Sequence, residues 1–222
     1  MPRPRAAERG SGKERDAVSE FTTERLSVYL RCLTILETAG VKTISSSRLA
    51  ERFHLNSAQI RKDLACFGEL GVRGVGYQVG ALRRHLTTTL GLDRLRRMVI
   101  FGAGNLGLAL SDYPGFNSDG FVVTAVFDSD PAKHGLASRG GIPILPNAEL
   151  PRVLDAGEVD LGVIAVPAAA AQSVYDTLAD AGIRAILNFA PVQLHQRPGV
   201  RTRSVDLRIN LESLSFSLAN NE

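Results

Sequence analysis

Apolar residues recur along this chain with two different periods, and the change of period divides it. "TTERLSVYLRCLTILETAG" spaces Leu26, Tyr29, Leu30, Leu33 and Leu36 three or four residues apart, one face of a helix that Thr22 or Thr23 can cap and Gly40 ends. "ISSSRLAERFHLNSAQIRKDLACFG" repeats that spacing in two shorter pieces. Ser45 or Ser46 can cap the first, which runs through Phe53, and the turn His54-Leu55-Asn56 follows. Ser57 can cap the second, which ends at Gly68; its Ile60, Leu64 and Phe67 share a face and leave Gln59, Arg61, Lys62 and Asp63 more exposed. From Met98 onward short apolar runs alternate with helical stretches. Met98 to Phe101, "FVVTAVFD", "IPIL", "LGVIAVP" and "RAILNFAP" read as strands. Asn105 to Ser111, "NAELPRVLDAG" and "AAAAQSVYDTLADAG" read as helices between them. "LRINLESLSFSLAN" closes the pattern with Leu207, Leu211, Leu214 and Leu218 on one stripe, which must pack on the chain's own core or on a partner subunit.

Two short helices joined by a tight turn make a helix-turn-helix pattern. The segment after it, "ELGVRGVGYQVGALRRHL", is dense in glycine, with Arg73 and Gly74 at its centre. That composition suits a tight hairpin, the wing of a winged helix. Strand alternating with helix predicts an α/β fold, a Rossmann-like doubly wound parallel sheet behind the winged helix. The expected division is a disordered tail over 1–19, a winged-helix domain over 20–92, a Rossmann domain over 93–206 and a C-terminal helix over 207–222.

Charge sharpens this division. Residues 1–97 hold 18 Lys and Arg against 10 Asp and Glu, whereas residues 98–222 hold 8 against 13. A front half of +8 joined to a back half of −5 points to a polyanion met by the front alone. Cationic groups there would touch phosphates. Gln59 and Arg61 are better suited to base edges because each can make paired contacts, and Arg73 suits a narrow minor groove. The candidate DNA-contacting set is Ser57, Gln59, Arg61, Lys62, Arg73, Gly74 and Tyr77. The 44% apolar and 22% charged content is ordinary for a soluble globular protein. The first residues lack the apolar stretch of a secretory signal, and the longest apolar runs are too short to span a bilayer. Cys32 and Cys66 both sit in apolar helical contexts and read as reduced core thiols. A cytoplasmic protein without membrane or metal is expected.

The first strand of the back half runs into Gly102-Ala103-Gly104-Asn105-Leu106-Gly107. A G-x-G-x-x-G between a strand and a helix places glycine backbone and a helix N-terminus where a pyrophosphate can sit. Asp128 ends the second strand 26 residues after Gly102, near the usual offset of about 20 for an acid that holds ribose hydroxyls. Such an acid repels a 2′-phosphate, which selects NAD over NADP. Read alone, Asp128 is also a fair strand-end cap, and Asp130 reads as one. Val166-Pro167 and Phe189-Ala190-Pro191 leave later strands at the ends where such folds bind ligands. They are apolar and carry no acid, so they favour the neutral reduced ring, NADH, over cationic NAD+. None of His54, His85, His134 and His195 is placed as a proton donor beside such a ring, and the roughly 125 residues of the back half leave no room for a substrate domain. The back half therefore reads as a sensor and not as an enzyme.

These parts together resemble the redox-sensing transcriptional repressors of the bacterial Rex family, from about residue 20 to residue 218. "IRKDLACFGELGVRGVGY", "GAGNLGLAL", "YPGF", "VPAAAAQ" and "ILNFAPV" carry the likeness. The resemblance implies a homodimer with a winged helix in front, an NAD(H)-binding Rossmann domain behind, and a C-terminal helix exchanged between protomers. It implies a palindromic operator that is released when NADH binds. It also implies a switch made of Arg31, Tyr113 and Asp206, in which Asp206 pairs with Arg31 on DNA and turns to Tyr113 when NADH binds. Tyr113 then joins the nucleotide-binding set. Cys66 departs from the family, which often has an aromatic residue beside Phe67, and the charged tail is a second departure. Two other readings stay open: a transcription factor sensing another nucleotide such as a CoA ester, and a small NAD-dependent oxidoreductase with an N-terminal extension.

Overall fold

The computed structural model describes residues 20–220 apart from 69, 118, 119 and 158; the tail over 1–19, expected to be disordered, lies outside the described residues. Between Asp93 and Arg94 the chain divides into two compact units.

The front unit comprises α1 (Glu20–Thr38), β1 (Thr43–Ile44), α2 (Ser46–Phe53), α3 (Ser57–Ala65), β2 (Gly71–Val72), β3 (Gly76–Gln78) and α4 (Val79–Thr89). The apolar face of α1 buries Leu26, Tyr29, Leu33 and Leu36 against Leu49, Ile60, Leu64, Leu82 and Leu86. α1 begins at Glu20, ahead of the threonines expected to cap it, and Thr22 Oγ1 instead accepts from Arg25 at 3.1 Å. Gly40 ends it as expected, with Val41 N–H donating to the Leu36 carbonyl at 3.0 Å. Ser45 caps α2 by accepting from Arg48 N–H at 3.2 Å. The cap of α3 is Asn56 and not Ser57, because the longer amide accepts from both Ala58 and Gln59 N–H, at 2.9 and 3.0 Å. β1, too short for any pattern to announce, pairs with β3, and β3 with β2, in an antiparallel sheet of order β1-β3-β2.

Two residues of α3 and its end differ from expectation. Asp63 is buried rather than exposed, at 2% relative accessibility. Arg25 grips its carboxylate from α1 with Nε at 2.6 Å and Nη2 at 2.8 Å, the Tyr29 hydroxyl donates at 2.9 Å, and Gln59 Nε2 donates at 2.7 Å. A buried charge needs such partners, and none is adjacent in sequence. Cys66, by contrast, is exposed, because α3 ends at Ala65 and leaves the thiol outside the core; Cys32 is buried.

The back unit is a six-stranded parallel sheet of order β6-β5-β4-β7-β8-β9. Its elements are β4 (Arg96–Phe101), α5 (Asn105–Ser111), β5 (Phe121–Asp128), β6 (Ile144–Pro146), α6 (Leu150–Asp155), β7 (Leu161–Ile164), α7 (Ala168–Asp180), β8 (Ala185–Asn188), β9 (Arg201–Ser204) and α8 (Leu207–Ala219). β4 starts two residues before its apolar run, where Arg96 pairs with Phe121. Its side chains alternate between two cores: Met98 and Ile100 on one face of the sheet, Val99 and Phe101 on the other. On the second face Phe101 stacks on Phe127 with ring centres 4.9 Å apart, and Val174, Tyr175 and Leu178 of α7 cover them. The strand order reverses between β4 and β7, the switch point of a doubly wound sheet. β9, "RTRS", was not legible: an edge strand paired on one side only needs no apolar signature. Among the described residues no helix is long and apolar enough to cross a membrane.

The Asp63 cluster makes a testable feature of the front unit. Burial pushes the Asp63 carboxyl up, but hydrogen bonds from Arg25, Gln59 and Tyr29 outweigh burial and hold it below the ordinary carboxylate value. Its contribution is complete above the unfolded value of about 3.9 and is lost as pH falls through the lower folded value. Asp63→Asn should lower the front unit's stability by about 2 kcal/mol at neutral pH, since the amide keeps the shape but not the charge that its donors require. The gap from wild type should close as both are melted below about pH 4.

Candidate functional site

In the front unit α3 and the wing face a common groove of about 880 Å³, lined among others by Ser45, Ser46, Arg61, Arg73, Gly74 and Tyr77. The wing tip is a turn in which Val75 N–H donates to the Val72 carbonyl at 3.0 Å. Gly74 has φ +82° there while Arg73 keeps a negative φ, the geometry of a type II turn. That turn leaves Arg73 and Gly74 exposed at the tip. Arg61 and Lys62 are exposed on α3, and Arg61 Nη1 donates to Ser46 Oγ at 3.0 Å, which ties α3 to the start of α2. Ser57 and Tyr77 are half-buried. Gln59 is half-buried and its amide is committed to Asp63, so its orientation is set by α1 through that carboxylate.

In the back unit the glycine turn lies at the switch point. Gly102 has φ +109°, and a Cβ there would stand 2.4 Å from the Ala165 carbonyl oxygen. A Cβ on Gly107 would stand 1.7 Å from the Gly102 carbonyl oxygen. These two glycines let β4, α5 and the end of β7 meet backbone to backbone. A Cβ on Gly104 would meet nothing within 4 Å. Gly102, Ala103 and Gly107 are buried, whereas Gly104, Asn105 and Leu106 are exposed. The middle of the motif therefore presents bare backbone outward, which suits the close approach of a pyrophosphate.

Asp128 ends β5 beside this turn. Its Oδ2 accepts from Ala103 N–H at 2.7 Å and Lys133 Nζ at 3.0 Å, and its Oδ1 from Asp130 N–H at 2.8 Å. Burial pushes its carboxyl up, and the Asp130, Lys133 and Ala103 hydrogen bonds outweigh that and hold it below the usual range. Asp128 thus caps the strand end and also anchors the glycine turn. Asp130 caps the following turn by accepting from Ala132 N–H at 3.0 Å. Across the switch point, Val166 and Phe189 are half-buried and Pro167 is exposed. Asn188, fully buried and unremarked in the sequence, holds the loop that follows it. Its Nδ2 donates to the carbonyls of Ala190 and Val192 at 3.1 and 3.2 Å, and its Oδ1 accepts from Ala190 N–H at 2.9 Å.

The three residues of the implied switch make local contacts. Tyr113 lies beyond the end of α5, 54% exposed, with its ring edge-on to Phe116 at 5.6 Å. The preceding residue fixes that loop: Asp112 accepts from Ser138 Oγ at 2.6 Å and Gly140 N–H at 2.8 Å. Asp206 caps α8 by accepting from Arg208 N–H at 2.9 Å and lines, with Ala190, Pro191, Thr202 and Ile209, a cavity of about 470 Å³. Arg31 is exposed on α1, in the other unit. α8 carries its apolar residues outward: Leu207, Ile209, Leu211, Leu214, Phe216 and Leu218 are each 63–73% exposed. Its stripe is thus not part of the chain's own core. Among the described residues no group of three or more His, Cys, Asp or Glu side chains could hold a metal.

Comparison with known proteins decides the family. Residues 17–65 match the model described as "Putative DNA-binding protein N-terminus", and residues 93–192 match "CoA binding domain". The redox-sensing transcriptional repressor Rex of Desulfitobacterium hafniense is 48% identical over 201 residues, 90% of this chain and 95% of that protein. The chain belongs to the Rex family. The Rex of Streptomyces coelicolor is 46% identical over 201 residues, 90% of this chain and 77% of its own length. Among solved structures, the Rex-family repressor RSP in complex with beta-NAD+ and operator DNA matches with a TM-score of 0.86 at 36% identity, covering 92% of this chain and 94% of that one. RSP in complex with beta-NADH matches with a TM-score of 0.80 at 35% identity, covering 92% and 96%. Rex relatives are named as transcriptional repressors, which makes the family one of regulators.

The two kinds of glycine in the turn separate folding from binding. Gly107→Ala should cost more than about 2 kcal/mol, because backbone must move to admit the methyl. Gly104→Ala should change stability by less than about 1 kcal/mol, yet weaken a dinucleotide whose pyrophosphate lies against that backbone. Thermal melts beside an NADH titration of both variants check this.

Proposed function

We propose that this Rex-family chain is a homodimeric repressor that binds a palindromic operator through its winged helix and releases it when NADH occupies the back unit. The observation that carries this reading is the exposed Gly104 backbone at the switch point, flanked by the apolar Val166-Pro167 and Phe189 loops, in a chain whose front unit is a winged helix with a basic groove. The relatives' structures with NADH, NAD+ and operator DNA support it. Gly102 to Gly107 would cradle the pyrophosphate, Asp128 would face the adenosine ribose, and Val166, Pro167, Phe189 and Tyr113 would line the nicotinamide side. Arg61, Lys62, Arg73 and Gly74 would meet DNA, with Ser57, Gln59 and Tyr77 beside them. The chain performs no turnover in this reading; it converts binding into a change of state.

The apolar stripe of α8 calls for a partner, and exchange of this helix in a homodimer meets that demand. The mechanism is a population shift between a DNA-competent and a closed dimer, with Asp206 exchanging Arg31 for Tyr113. Turning 99% of one state into 99% of the other requires NADH to favour the closed state by roughly 5.5 kcal/mol across the dimer. Linkage is reciprocal, so operator DNA must weaken NADH binding by the same factor. A cytoplasmic repressor follows from this function.

The match of residues 93–192 to a CoA binding domain keeps one other ligand in view. Displacement of a labelled palindromic operator at fixed salt distinguishes them, with NADH, NAD+, NADPH and a CoA ester run in parallel. Release at far lower NADH than NAD+ is expected. Release by the CoA ester alone, or by none of the four, would sink the redox-sensor reading. A chain truncated after Val205 should sediment as a monomer where the full chain sediments as a dimer.

A further inference from the structure

We propose that Lys133 sets how sharply the nucleotide site distinguishes a free 2′-hydroxyl from a 2′-phosphate, an inference that rests on the dinucleotide site proposed above. An acid at the end of the second strand of such a fold ordinarily accepts from the ribose diol and repels a 2′-phosphate, whereas a nearby cation accommodates the phosphate. Here the two are one ion pair. Lys133 Nζ stands 3.0 Å from Asp128 Oδ2, and two backbone N–H groups, of Ala103 and Asp130, share the same carboxylate. Three donors, one of them charged, offset the acid's negative charge where the ribose would meet it.

The ammonium is placed, not incidental. Lys133 ends the short 3-10 helix Pro131–Lys133, which Asp130 caps. The next residue, His134, holds its Nε2 at 2.9 Å from the Asp128 main-chain oxygen. A carbonyl only accepts, so the ring carries its hydrogen on Nε2 and pins the loop to the strand end. The Lys133 side chain is 35% exposed against 10% for Asp128, so the cation is the more accessible half of the pair. An ammonium on a flexible stem binds phosphate as a point charge. A 2′-phosphate would compete with Asp128 for Lys133, while a ribose diol would leave the pair closed. Selectivity at this end is therefore a balance: Asp128 disfavours the phosphate and Lys133 favours it. NADPH binds more weakly than NADH, and Lys133 keeps the difference small.

Direct titration of the full-length protein with NADH and with NADPH, followed by nicotinamide fluorescence, tests this in wild type, Lys133→Met, Asp128→Asn and the double variant. Asparagine retains an acceptor for Ala103 N–H, and methionine retains most of the lysine stem. Lys133→Met should weaken NADPH by about tenfold or more while changing NADH by less than about threefold. Asp128→Asn should improve NADPH relative to NADH by about tenfold, and the double variant should lose that gain. Equal losses of both dinucleotides in Lys133→Met, or NADPH binding unchanged by it, would overturn the proposal. So would a gain in Asp128→Asn that survives removal of the lysine. Wild type that binds neither dinucleotide would overturn the proposed function and this inference together, and the wild-type titration alone identifies that case.

Discussion

No side chain fits where β4, α5 and β7 converge. The Gly102 carbonyl occupies the space of a Cβ on Gly107, and the Ala165 carbonyl that of a Cβ on Gly102. That main-chain contact at the switch point arranges the rest of the back unit. It starts α5 against the sheet, turns Ala103 N–H to Asp128, and leaves Gly104, Asn105 and Leu106 facing outward. The packing of the turn and the surface it offers to a ligand are thus two results of one constraint. The end of β5 depends on it as well, because the carboxylate that anchors the turn is the one that Lys133 and Asp130 share.

The front unit is organised by a charge rather than by a close approach. A carboxylate at 2% accessibility is tolerable only with its lone pairs occupied, and Arg25, Tyr29 and Gln59 occupy them. Two of these donors come from α1 and one from α3 itself. The angle of α3 on α1 and the orientation of the Gln59 amide are consequently set together. Arg61 is free of that network and is steadied by Ser46, while Arg73 is carried at the wing tip by the turn at Gly74. A groove with basic groups held from both sides suits a phosphate-lined ligand, which the charge asymmetry of the chain already implied.

The basic groove and the glycine turn lie in separate units, so any coupling between ligands of the two has to act through states that each ligand favours differently. α8 has the properties such a device needs. Its N-cap, Asp206, lines a cavity with the loop that follows β8, and its apolar face is uncovered by the chain itself. A helix of this length with that face exposed has little stability alone. Its position depends on what covers it, which links the back unit to the assembly.

Local pattern was enough for much of this. Helical spacing in α1 to α3, strand and helix alternation after Met98, the glycine turn and Asp128 are written in contiguous residues, because helix, strand and turn each impose their own short period. The partner that each polar side chain takes was not. Asp63 read as exposed because the partners that bury it lie 34 and 38 positions away, and Asn56 took the cap from Ser57 by the reach of its side chain. Lys133 and Asn188 gave no sign of their contacts although those partners lie within five residues, because only the turn of the chain brings side chain and partner together. β9 lacked any apolar signature because an edge strand requires none. The sequence by itself determined the two kinds of domain, their order and the nucleotide turn, through periodicity and charge. Only the tertiary structure decided which polar groups are buried together and which apolar face is left outside, because burial is a property of contacts between distant segments and not of any one of them.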